Sequence, residues 1–203
     1  KARLSDGLNT IALYGNSESL NFKDTDLTPE LTNIGSFEKC WKLINNHWYM
    51  IKKGSLKENF AEVLTSNIAI YLGFNAIKYE AINDGFLVRC RDFTNSGEID
   101  FEPMYSFVQD YWGIDDSVNI INELGYINDF LDITFMDALC YNIDRHTFNF
   151  GILRKDGDVI GLAPNFDNNL SLSGVLDNKS LEKTWYSTSF TRLNYIPILK
   201  EYN

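Results

Sequence analysis

Basic residues are in short supply in this chain: 18 Lys and Arg stand against 28 Asp and Glu, for a formal charge of −10. Proteins that hold nucleic acid through phosphate contacts carry a Lys/Arg surplus somewhere on their surface. No basic cluster here is denser than Ile51-Lys52-Lys53, so direct nucleic-acid binding is not expected. Cysteine is also scarce. Cys40, Cys90 and Cys140 are the only three, with no CxxC pair and an odd count, which argues against a disulfide framework or a zinc site and for reduced thiols in a cytosolic protein. No apolar run approaches the ~18 residues of a membrane span, and no signal-peptide pattern opens the chain. The expectation is a cytoplasmic protein without membrane association. What the chain does have is 203 residues, 44% of them apolar, enough to bury a core in one sizeable domain or in two lobes around a cleft.

Strand-like pieces open the chain, at Thr10–Tyr14 and Leu20–Phe22, followed by a polar loop from Lys23 to Thr32. Cys40–Ile44 and His47–Lys52 are rich in aromatic and β-branched residues and flank Asn45-Asn46. Asn tolerates the positive φ of a tight turn, so a hairpin is predicted. From Lys57 to Leu72 the period becomes helical, with Phe60, Leu64, Ile68, Tyr71 and Leu72 on one apolar face, Glu58 and Glu62 opposite, and Gly73 at the C-cap. Ile77–Ile82 and Phe86–Cys90 around Asn83-Asp84-Gly85 predict a second hairpin.

Beyond Asp92 helical patterns dominate, and Asn95-Ser96-Gly97 marks a candidate boundary. Asp116 is placed to cap a helix ending near Leu124 and Gly125. Ile127, Phe130, Leu131, Thr134, Phe135, Ala138 and Leu139 form the stripe of another, which delivers the chain to Asp144. Phe150–Leu153 and Val159–Leu162 around Lys155–Asp158 predict a third hairpin, whose return brings Asn149 and Asp167 together.

An Asp, an Asn five residues on and a second Asp beyond a hairpin suit a phosphoryl-transfer site. Asp144 would orient the attacking hydroxyl and accept its proton, while Asn149 and Asp167 would supply oxygens to a magnesium ion bridging ATP phosphates. The plain alternative is a loop whose Asp and Asn cap their own turns. Such a site also needs a strand Lys for the phosphates and a helix Glu to orient it. Lys52 and Glu62 are the candidates, against the alternatives of an exposed strand-end lysine and a solvated helix face.

Asn142-Ile143-Asp144-Arg145-His146-Thr147-Phe148-Asn149-Phe150-Gly151 resembles the catalytic loop of the HipA-like kinases, and Ala163-Pro164-Asn165-Phe166-Asp167 resembles their metal-binding segment. Tyr49–Lys52 and Glu62–Ser66 are similar to the nucleotide lysine and first-helix Glu of that family. The resemblance covers roughly residues 27 to 172. It implies Asp144 as catalytic base, Asn149 and Asp167 as magnesium ligands, Lys52 as the phosphate contact, Glu62 as its ion-pair partner and His146 as a structural residue packed beneath the loop. It further implies a hinge at Arg89–Asp92 that contacts adenine through backbone groups, Cys90 and Arg91 among them, and a phosphate-covering loop at Gly35 and Ser36. One departure is Asn168-Asn169, where the family has a small residue and a Gly; left-handed backbone at an Asn would preserve the turn.

The fold expected is therefore α+β and two-lobed, resembling a protein kinase. An antiparallel β N-terminal lobe with one helix would span residues 1–91, and a mainly helical C-terminal lobe residues 92–203. The implied activity is ATP- and Mg2+-dependent transfer of the γ-phosphoryl group to a protein Ser/Thr hydroxyl, with a toxin–antitoxin setting and a DNA-binding antitoxin partner. The alternative is a catalytically impaired nucleotide-binding pseudokinase acting as an interaction module.

Overall fold

The computed structural model describes residues 39–172 and Lys200. The predicted strands at Thr10–Tyr14 and Leu20–Phe22, and the proposed phosphate loop at Gly35 and Ser36, lie outside the described residues. β1 (Lys39–Ile44) and β2 (His47–Lys53) form the first hairpin, with Asn45 and Asn46 at φ of 49° and 62°. Both turn residues need left-handed backbone, which Asn adopts at lower cost than most side chains. β3 (Tyr79–Ile82) and β4 (Leu87–Arg91) form the second, and the strands join in the antiparallel order β1-β2-β4-β3. β2 is thus an interior strand.

Between β2 and β3 runs α1 (Leu56–Tyr71). Ser55 caps it: its hydroxyl accepts from the Glu58 N–H at 3.3 Å, and the Glu58 carboxylate accepts from the Ser55 N–H at 2.7 Å, the reciprocal capping box. Gly73, at φ +84°, follows the last turn as predicted. The buried face of α1 is the opposite of the predicted one. Phe60 is 63% exposed and Tyr71 90%, whereas Asn59, Glu62, Thr65, Ser66 and Ala69 are buried. The reason is hydrogen bonding to backbone that no strand partners. Asn59 Nδ2 donates to the Gly85 carbonyl at 2.7 Å. Ser66 Oγ donates to the Ile77 carbonyl at 2.7 Å and accepts from the Tyr79 N–H at 3.1 Å. Buried backbone groups demand such partners, so a polar face is what this helix must turn inward.

The second half holds α2 (Tyr105–Val108), α3 (Ile114–Glu123) and α4 (Ile127–Cys140), together with a three-stranded antiparallel sheet in the order β5-β6-β7: β5 (Asp100–Pro103), β6 (Gly151–Lys155) and β7 (Asp158–Leu162). β5 is not legible in the sequence. It is a short edge strand with two carboxylates and a terminal Pro, the kind an edge position tolerates, and it is held across the sheet by Arg154 to Glu102 at 2.7 Å. α3 begins at Ile114 with Gly113 at its N-cap, three residues before the predicted cap Asp116. Asp115 and Asp116 lie in its first turn, where carboxylates complement the helix dipole. Met104, Ile121, Phe130, Ile133, Phe150 and Ile152 fill the core between these helices and the sheet.

The two halves meet at several places. Asn165 accepts from the Ile77 N–H at 3.0 Å and donates to the Asn75 carbonyl at 2.8 Å, a parallel bridge that seats residues 165–168 against the end of α1 and the start of β3. Ala69 on α1 packs against Met136 and Cys140 on α4. No helix among the described residues is long and apolar enough to cross a membrane.

Candidate active site

Alternation along β2 sends Met50 and Lys52 to the face shared with Val88 and Cys90, and Lys53 to the other. Lys52 is consequently buried, and its Nζ lies 3.1 Å from Glu62 Oε2 and 2.5 Å from Asp167 Oδ1. Glu62 is fully buried, and its second oxygen accepts from the Asn168 N–H at 2.8 Å. One helix carboxylate therefore fixes both the strand lysine and the backbone just after Asp167. Burial opposes a charge on Lys52, but Asp167 and Glu62 outweigh it and raise its pKa, so the ammonium persists. Burial likewise opposes ionisation of Asp167, and the Lys52 ammonium overcomes it, holding this carboxyl below its usual range. For Glu62 burial wins and pushes the carboxyl upward, with Lys52 opposing and Asp167 adding to the rise. Arg145 and Lys39, which pairs with Lys52 across β1 and β2, add to the pull on the Asp167 carboxyl.

The loop bearing Asp144 starts where α4 stops, at Tyr141, which takes a left-handed conformation at φ 54°. Asn142 turns back on the helix, donating through Nδ2 to Asp137 Oδ1 at 2.8 Å while its Oδ1 accepts from the Asp144 N–H at 3.1 Å. Asp144 is half-buried. Its pKa is raised by burial and by the nearby Asp167 charge, with Arg145 pulling the other way. Asn149 donates through Nδ2 to the Asp144 carbonyl at 3.2 Å, which commits its nitrogen and leaves its amide oxygen as the group suited to a cation.

Arg145 is the hub of this loop. Its buried guanidinium makes a two-pronged contact with Asp137 at 2.8 and 2.9 Å and donates to the carbonyls of Asn149 at 2.8 Å and Phe166 at 2.9 Å. It also donates to the side-chain oxygens of Asn165 and Asn168, each at 3.0 Å. A single side chain thus clamps helix α4, the loop of Asp144 and Asn149, and the segment of Asp167. The planar fork of donors makes arginine suited to this role.

No protein-family model and no curated protein sequence matches the chain. Solved structures do. The Helicobacter pylori proinflammatory kinase CtkA superimposes with a TM-score of 0.59 at 22% identity, over 78% of this chain and 62% of CtkA. HipA of Shewanella oneidensis MR-1, solved with HipB and operator DNA, does so with a TM-score of 0.53 at 14% identity, over 81% of this chain and 49% of HipA. The chain has the kinase-like fold of CtkA and HipA. It spans less than two thirds of the length of either.

Within this kinase-like fold, Lys52, Glu62 and Asp167 are brought into direct contact, and Asp144 and Asn149 into contact with each other. The other predicted residues that are described lie outside these contacts. Cys90 sits inside the sheet between Met50 and Tyr79, its thiol pushed up to about 12 chiefly by burial. Arg91 ends β4 at the surface with its guanidinium 2.9 Å from His47 Nδ1, so its side chain is engaged away from Lys52 and Glu62. His146 stacks on Tyr111, ring centroids 4.2 Å apart. Burial brings its pKa down to about 4 and keeps the imidazole neutral. The left-handed turn residue is Asp167 itself, at φ 60°, rather than Asn168 or Asn169. Asn168 instead supplies the N–H for Glu62 and the oxygen for Arg145, a use that a Gly at this position would fulfil only in part.

The structure tests whether a magnesium ion fits. Asn149 and Asp167 offer hard oxygen donors of the kind magnesium takes. Among the described residues no cluster of three or more His, Cys, Asp or Glu side chains is arranged to hold a metal alone.

Proposed function

We propose that this chain is an ATP- and Mg2+-dependent kinase, transferring the γ-phosphoryl group to a Ser or Thr hydroxyl of a protein substrate. The observation that carries the reading is the buried Lys52–Glu62 pair, joined at 3.1 Å, with Glu62 also holding the backbone next to Asp167. A structural ion pair would need only the lysine. A lysine aimed at phosphates needs an orienting carboxylate with Asp167 beside it.

In this reading the acceptor hydroxyl bonds to the γ-phosphorus as the bond from that phosphorus to the β-γ bridging oxygen breaks. ADP leaves, and the hydroxyl proton passes to Asp144. A carboxylate whose pKa lies above the ordinary Asp range is a better base than a typical one. Lys52 holds the phosphates, with Glu62 fixing its direction. Asn149 and Asp167 would hold magnesium, which when bound neutralises the charge developing on the phosphate oxygens. The β-rich lobe at residues 1–91 would supply Lys52 and Glu62, and the lobe at 92–203 the rest.

HipA's complex with HipB and operator DNA supports a DNA-binding antitoxin partner for this chain. A non-catalytic nucleotide-binding role has one observation in its favour, the direct contact of Lys52 with Asp167, which ATP and magnesium would have to compete with. Parallel reactions with γ-labelled and α-labelled ATP separate the outcomes. Label transferred from the γ position alone is expected; transfer from the α position would mean nucleotide transfer, and binding of ATP without transfer would mean a pseudokinase.

A further inference from the structure

Three aromatic rings stand at the surface beside the loop of Asp144. Tyr105 is 36% exposed, Tyr111 39% and Trp112 49%. Tyr105 stacks on Phe148 at 4.4 Å, Tyr111 on His146 at 4.2 Å, and Trp112 meets Tyr111 edge-on at 4.8 Å. Their position is fixed by Thr147, which is fully buried between the two stacked loop residues. Its hydroxyl donates to the Asp110 carbonyl at 2.7 Å, its N–H to the Tyr111 carbonyl at 3.1 Å, and its own carbonyl accepts from the Tyr105 N–H at 3.0 Å. The rings are therefore locked to the segment that carries Asp144, three residues before Thr147. The Tyr111 hydroxyl senses that neighbourhood, its pKa raised by burial and then by the charges of Asp144 and Asp167.

The stretch of sequence that carries these rings is acidic. From Asp92 through Asp144 the sequence contains twelve Asp and Glu and not one Lys, Arg or His. Asp110, Asp115 and Asp116 of that stretch are exposed within a few residues of Trp112. Electron-rich ring faces amid carboxylates attract cations, and they repel acceptor segments flanked by Asp or Glu. An apolar side chain would gain from the rings and nothing from the carboxylates. A guanidinium gains from both, because it is planar enough to stack and carries donors for the carboxylates at its edge.

We propose that the platform of Tyr105, Tyr111 and Trp112 binds an arginine side chain of the polypeptide acceptor, lying within about two to four residues of the target Ser or Thr, the span of a short extended segment at ~3.3 Å per residue. This proposal rests on the phosphoryl-transfer reading of the same site. It adds the substrate class: acceptors with arginine next to the hydroxyl.

The test uses the full chain, labelled ATP, magnesium and Ser peptides carrying Arg, Lys, Leu or Glu two to four residues on either side of the Ser. The expected order of kcat/KM is Arg, then Lys, then Leu, then Glu. Trp112→Ala and Trp112→Leu should each raise KM for the best Arg peptide by ~10-fold, the size of a partly desolvated cation–π contact, with kcat retained, and Trp112→Phe should recover most of the loss. Equal use of Leu and Arg peptides, or wild-type KM in Trp112→Leu, would overturn the proposal. Fluorescence anisotropy of a labelled Arg peptide without ATP separates the two readings. Trp112-dependent, salt-sensitive binding without phosphate transfer sinks the kinase reading and keeps the platform. Transfer without Arg preference does the reverse, and absence of both overturns both.

Discussion

Replacing Arg145 by methionine is the sharpest structural test of how the site is assembled. Among the described residues the guanidinium makes six hydrogen bonds: two to Asp137 and one each to Asn149, Phe166, Asn165 and Asn168. Both charged side chains of the Arg145–Asp137 pair are fully buried. Removing one partner of such a pair costs about 3–5 kcal/mol, because the remaining charge is left buried and uncompensated. Here Asp137 would keep only the Asn142 amide, at 2.8 Å. Native domains are stable by about 5–15 kcal/mol, so R145M should stay folded with a greatly reduced margin. At about 2–4 °C per kcal/mol for a chain of this size, Tm should fall by about 6–20 °C. Chemical denaturation is the assay, with the midpoint falling at constant slope. D137L in the R145M background removes the orphaned charge and should recover part of the loss, a coupling that two independent sites would not show. A loss under about 1 kcal/mol in R145M, or simple additivity in the double variant, would refute the hub.

Three further outcomes are expected. Gly151→Ala places a Cβ 2.2 Å from the Glu102 carbonyl oxygen and 2.8 Å from Pro103 Cα; since backbone cannot swing aside, β5 and β6 should part at a cost of about 1–3 kcal/mol, read as a lowered denaturation midpoint. His146 has its pKa depressed from 6.5 to about 4; the unfolded chain gains a proton between those values and the folded chain does not, so this residue's effect removes stability as pH falls from about 6.5 to about 4. The Tm gap between wild type and His146→Gln should narrow across that window and hold constant above it, whereas a gap independent of pH would contradict a neutral stacked imidazole. Lys52→Ala should lower phosphate transfer by ~10² or more, measured at saturating ATP so that weaker binding does not masquerade as slower chemistry.

Much of the scaffold was legible because local rules act locally. Asn45-Asn46, Asn83-Asp84-Gly85 and the turn after Lys155 each announce a hairpin through residues that accept positive φ, and each hairpin forms. The pairing of Lys52 with Glu62 was legible for a related reason, since strand alternation puts Lys52 on one face and Lys53 on the other. The facing of α1 was not. Apolar counting favours the side of Phe60 and Tyr71, yet the helix turns in Asn59, Glu62 and Ser66 because their polar groups complete the backbone of the neighbouring turns and strand, a demand visible only once β3 and β4 are in place. Asp137 escaped for the same reason. It lies at the spacing of Phe130, Ile133 and Thr134 on the buried face of α4, so a carboxylate within an apolar stripe was the available signal for a buried partner of Arg145. The positive φ at Asp167 rather than at Asn168 had no sequence signal, since Glu62 and Arg145 jointly decide where that chain turns.

Asp144 bears the central claim, and the most direct measurement is γ-phosphoryl transfer from labelled ATP by wild type and by Asp144→Ala, each at pH 7 and verified as folded by its thermal transition. The expected result is transfer by wild type and loss of ~10²-fold or more in the variant, as removal of a positioned base produces. Transfer by Asp144→Ala at the wild-type rate would contradict the account.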